Sequence, residues 1–154
     1  MQPLKIIARY LDGTILKGTT HNFQTTGAPF HLLPSGYGSS AKPTVVDIKK
    51  VKAIFFVDNF EGKPAYQERK KFNHSDTPQG RRVEIKFIDG ESLAGAVSQY
   101  SPLALGFFLF PVDRDSNNQK VFVVNSSVKD VIFLDGRETG GSAQSKPVSR
   151  LQAR

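Results

Sequence analysis

Three stretches hold residue types that could do chemistry. The first is "DRDSNNQKVFVV", Asp113 to Val124, with Asp113, Asp115 and Asn117 at alternate positions. A calcium loop starts that way, but it needs Gly sixth and Glu twelfth, where this chain has Asn118 and Val124. Asp and Asn in a polar hairpin loop explain the run. The second is "GYGSSA", Gly36 to Ala41, which lacks the third Gly and following helix of a dinucleotide site. The third is a basic set, Arg9, Lys17, Lys49, Lys50 and Lys52, interleaved with Tyr10, His21 and Phe23. Cations beside stacking rings suit a single-stranded polyanion. A solvated basic face is the competing reading. His21, His31 and His74 show no metal-ligand spacing, and no Ser-His-Asp set or catalytic carboxylate pair stands out. The expectation is a protein that is not an enzyme, with no cofactor and no metal.

Composition narrows the class. The 154 residues suit one ordinary domain or two very small ones, and 12 Phe supply core bulk. The chain contains no Cys, which excludes disulfides and thiolate chemistry. The start, "MQPLKIIARYLDG", has no signal-peptide pattern, and no run approaches the roughly 20 apolar residues that span a bilayer. A soluble, cytoplasmic protein without a membrane partner is expected. The net charge of +7 is uneven: +5 over 1–57, +1 over 58–81, −2 over 82–135 and +3 over 136–154.

The elements that must position these residues come in two copies. At an offset of 77, Asp12-Gly13 falls on Asp89-Gly90, Leu16 on Leu93, Gly18 on Gly95, Phe30 on Phe107, Pro34 on Pro111 and Phe56 on Phe133, with no gap. The second copy reveals the period that the first hides. "RVEIKFI" alternates, with Val83, Ile85 and Phe87 on one face, so Ile6, Ala8 and Tyr10 should face a core. Asp-Gly then turns a hairpin. Strands follow over Thr14–Thr20 and Glu91–Val97, then ending at Pro34 and Pro111, then over Thr44–Val46 and Lys120–Val124. Asp47 and Asn125 should each cap a short turn. A fifth strand closes each copy, "VKAIFFV" and "VKDVIFL".

Five short strands, the Asp-Gly corner, the Gly in a bent second strand and the late "V-x-x-I" resemble the SH3-like and Sm-like small barrels. The whole chain also resembles an uncharacterised bacterial domain family built from such a duplicated unit. The resemblance implies an all-β fold of two tandem five-stranded small barrels, residues 1–57 and 82–135. Between them lies a polar linker, 58–81, packing on the barrels through Tyr66 and Phe72, and 136–154 reads as a disordered tail.

Sm-like barrels often bind RNA, and in "HNFQTTG" Asn22 could be cast as the base-reading residue. The late Arg-Gly or Lys-Gly pair of that family is missing; "DIKKVK" and "NSSVKD" stand there. PilZ barrels, which sense cyclic dinucleotides, are a more distant likeness. In "RKKFNHSDTPQG", Asn73 stands where a second Arg is needed after Arg69, and Pro78 where Gly is needed. A bidentate Arg clamp on phosphate is therefore incomplete.

Apolar residues also occupy the other side of two strands. Phe55 and Val57, with twins Ile132 and Leu134, should face outward, as should Phe108 and Phe110 of "GFFLFP". Such a patch either joins the two barrels or binds a partner. The expected function is a non-enzymatic binding or adaptor module that recognises a protein partner, or itself, through this surface. The alternatives are single-stranded RNA or DNA binding by the basic first copy, and cyclic-dinucleotide sensing of PilZ type.

Overall fold

The computed structural model describes residues 2–36, 42–62, 65–67, 72, 80–113 and 115–134. The expected tail, the Arg69–Pro78 stretch likened to PilZ apart from Phe72, and Tyr37 to Ala41 lie outside these residues.

Among the described residues, ten strands carry most of the regular structure. The first half holds β1 (Leu4–Arg9), β2 (Ile15–Thr20), β3 (Phe30–Pro34), β4 (Thr44–Val46) and β5 (Ala53–Val57). The second holds β6 (Arg81–Phe87), β7 (Ser92–Val97), β8 (Gly106–Pro111), β9 (Asn118–Val124) and β10 (Val128–Phe133). A 3₁₀ turn precedes the last strand of each half, Ile48–Lys50 and Asn125–Ser127. No helix among the described residues is long and apolar enough to cross a membrane.

Local sequence explains the hairpins. Gly13 and Gly90 take φ of 92° and 95°, a conformation open to glycine. Asp12 Oδ1 accepts from Thr14 N at 2.9 Å, and Asp89 Oδ1 from Glu91 N at 3.0 Å, so each Asp tightens its own corner. The register repeats at an offset of 77: Ile6 faces Gly18 and Val83 faces Gly95, while Phe30 faces Val46 and Phe107 faces Val123. Gly18 and Gly95 lie where neighbouring strands press close. A Cβ there would stand 2.3 Å from Leu33 O or Phe110 O.

The expected all-β class is found, but not as two separate tandem five-stranded barrels. All ten strands make one open antiparallel sheet, ordered β10-β6-β7-β8-β9-β5-β1-β2-β3-β4. The halves join where β5 pairs with β9, from Ala53 opposite Val123 to Val57 opposite Asn118. A strand with neighbours on both edges and cores on both faces must be apolar on both sides. That is why "AIFFV" and "VFVV" show no alternation.

Two cores lie along the sheet, and each contains residues of the other half. Ile6, Phe30, Leu32 and Ile54 share the first core with Phe122 and Val124. Val83, Ile85, Phe107 and Leu109 share the second with Ala53, and Phe55 packs against it. Phe23 anchors the first core edge-to-face on Phe30, Phe56 and Phe122, at centroid distances of 5.4, 5.3 and 5.6 Å.

The two 3₁₀ turns differ. Asp47 caps the first as expected, its side chain accepting from Lys49 N. Asn125 does not cap the second; Val124 holds that position without a side-chain bond. Asn125 Nδ2 instead donates to Ser101 O and Ala104 O, both at 2.9 Å, and ties down the loop between β7 and β8.

Candidate functional site

The outward apolar residues named from sequence divide by half. Val57 is buried and Phe55 half-buried, because both belong to the seam with β9. The expected exposure fails at Val57, which is buried where the pairing with β9 shifts register after Phe56. Phe108 packs on the first core, 5.2 Å from Phe122 and 6.1 Å from Phe56 between centroids. The rest stay exposed: Phe110 at 41%, Ile132 at 37% and Leu134 at 44%. Ile132 lies on β10, an end strand of the sheet, and Leu134 directly follows it. At the opposite end, β4 presents Val45, which is 62% exposed.

The basic set is not brought together as one surface. Lys52 is withdrawn from it. Its side chain is buried and its Nζ lies 2.7 Å from Asp89 Oδ2, with Glu91 Oε1 as a second carboxylate partner. The ammonium also stands 4.7 Å from the centre of the Phe87 ring. Lys52 thus fastens the first half to the β6–β7 corner of the second. Arg9 lies over Phe55 at 5.4 Å, and Lys17 Nζ donates to Phe60 O at 3.1 Å. Lys49 and Lys50 remain exposed.

Asn22 is spent within its own loop. Its Oδ1 accepts from His31 N at 3.0 Å, and its Nδ2 lies 3.1 Å from His31 Nδ1. Tyr66 Oη donates to Asp113 Oδ2 at 2.6 Å, and Phe72 lies 5.0 Å from the Arg82 guanidinium, so both linker aromatics touch the second half. Among the described residues, no three His, Asp or Glu side chains gather as a metal site.

Sequence reasoning missed Lys120. Its Nζ stands 5.1 Å from the Phe56 ring centre and 4.7 Å from that of Phe108, so one cation bridges rings from both halves. The available signal was a Lys set directly before the apolar run Val121 to Val124.

Asp89 differs from its twin Asp12 by this contact. The Lys52 ammonium, first, and the Glu91 backbone N–H hold its carboxyl below the ordinary carboxylate value of 3.8. A depressed folded-state value stabilises the fold above the ordinary value, and that contribution is lost as pH falls through the folded one. Removing both acids (Asp89→Asn with Glu91→Gln) strands a buried ammonium. The expected loss is about 1–3 kcal/mol. Lys52→Met leaves only partly exposed carboxylates behind and should cost less, under about 1 kcal/mol. Urea unfolding at pH 7 and at acid pH checks the order. Both variants should lose part of the wild-type acid sensitivity.

A family model covers nearly all of the described chain. It describes a family of unknown function, DUF6982, and matches residues 2–135. The chain belongs to DUF6982. The DUF6982 match spans β1 to β10, so the interlocked halves fall within one family unit. No curated protein and no solved structure matches the chain.

Proposed function

We propose that this DUF6982 protein is a non-enzymatic binding module that captures a protein partner by strand addition at the β10 edge. The observation that carries the reading is the exposed apolar pair Ile132 and Leu134 at an end of an open sheet. An unpaired strand edge offers main-chain donors and acceptors, and alternate side chains supply apolar contact. Each half keeps the strand order of an SH3-like or Sm-like small barrel, opened so that β5 and β9 can join. The setting proposed is the bacterial cytoplasm.

The test is capture from a cell extract with Ile132→Asp and Leu134→Asp combined. Both positions are exposed, so the fold should persist while the captured protein is lost. Unchanged capture would sink the reading. Nucleic acid binding by Lys49, Lys50 and Arg9 is the second reading, favoured by the exposure of these three. Retention of a labelled single strand at about 50 mM salt, weakened by Lys49→Glu with Lys50→Glu, would install it instead.

A further inference from the structure

We infer that the partner at β10 is β4 of a second copy of this chain, so that molecules associate head to tail. This rests on the strand-addition reading above and names its occupant.

The seam inside the molecule is the template. At an offset of 77, β5 is the twin of β10 and β9 contains the twin of β4. The two ends of the open sheet are therefore the sequence twins of the two strands that already pair as β5 and β9. The register carries over without adjustment. Phe55 opposite Val121 becomes Ile132 opposite Thr44, and Ile54 opposite Phe122 becomes Val131 opposite Val45. In the seam, Phe55 and Phe122 are the largest of the side chains that reach the other half's core, beside Ala53 and Val124. Their twins, Ile132 and Val45, are exposed at 37% and 62%.

The polar lock is repeated as well. Lys52 of the seam reaches Asp89 and the Phe87 ring. The twins are Lys129, Asp12 and Tyr10: again a cation, a carboxylate and a ring. Lys129 is exposed and forms no ion pair among the described residues. Asp12 is exposed, and its carboxylate receives only the hydrogen bonding of its own turn at Thr14. A neighbour's Lys129 arriving at this corner would complete both groups.

The edges are also weaker copies of the seam. Val45 stands for Phe122, His31 for Phe108, Pro43 for Lys120 and Asp130 for Ala53. Less apolar area and one missing donor make the contact reversible. A contact of this heterologous kind leaves one β4 and one β10 open after each addition, so it ends in a ring or a filament.

Sedimentation velocity on the full chain over a concentration series tests this. Species above the 17.0 kDa monomer should grow with concentration. Lys129→Glu and Asp12→Lys should each weaken association at least tenfold. Mixing the two variants restores opposite charges at every junction and should restore association. Because the chain has no Cys, register can be trapped directly. Thr44→Cys mixed with Ile132→Cys should cross-link on oxidation, whereas Val45→Cys with Ile132→Cys, on opposite faces, should not. A monomer at every concentration overturns the inference, as does association indifferent to the charge variants. In either case the strand-addition reading stands or falls separately, on whether the Ile132 and Leu134 substitutions abolish capture.

Discussion

Phe122→Ala is expected to destabilise the protein by about 3–5 kcal/mol, and to do its damage in the half of the chain it does not belong to. Phe122 sits on β9 of the second half, yet it is only 2% exposed and lies in the first core. Its ring meets Phe23 and Phe108 edge-to-face, at 5.6 and 5.2 Å. Truncation leaves a cavity beneath Phe30, Leu32 and Ile54, which β1, β3 and β5 cannot collapse without breaking the sheet register. Urea unfolding measures the loss. Hydrogen exchange locates it: amides of β1 and β3 should lose protection at least as much as those of β6 and β7. Protection lost only in the second half would mean that the cores are not shared.

Gly95→Ala should cost about 2–3 kcal/mol although it adds a single methyl group. The new Cβ would lie 2.3 Å from Phe110 O and 2.8 Å from Leu109 Cγ. A backbone carbonyl held in the β7–β8 pairing cannot swing aside, so the two strands must separate. The companion substitution Gly18→Ala meets Leu33 O at the same 2.3 Å and should behave alike. Gly90→Asn makes the contrast. Its added Cβ meets nothing within 4 Å, and Asn tolerates positive φ, so the cost should stay under about 1 kcal/mol. Thermal unfolding of the three variants side by side checks this ranking.

Much of the sheet can be read from the chain, because hairpin pairing is local and the two copies interpret each other. Val83, Ile85 and Phe87 alternate openly and reveal the hidden faces of Ile6 and Ala8, both fully buried. The seam is not legible in the same way. Phe55 and Phe108 announce a second apolar side, but nothing near them in sequence says that β5 pairs with β9, some 65 residues away. Proximity in the chain groups Lys52 with Lys49 and Lys50. The 3₁₀ turn ends at Lys50, Val51 is extended and the chain bends at Lys52 before β5 begins, which takes Lys52 away from the turn and into the junction with Asp89. Asn125 fits a cap by type, but the loop carbonyls of Ser101 and Ala104 compete for its amide. Of the candidate edge, Ile132 and Leu134 are visible as apolar residues, while their exposure depends on which strands lack a second neighbour.

The shared cores also set an order of events during synthesis. When the first half leaves the ribosome, β5 has no strand on its outer edge and the first core lacks Phe122 and Val124. Nothing in residues 1–57 can fill that place until β9 has been translated. The nascent chain therefore carries an unfinished hydrophobic edge until β9 has been made, and pairing across so long a separation is slow. Folding should accelerate sharply once residues 118–124 are available, and chain truncated before them should depend on holding factors to remain soluble.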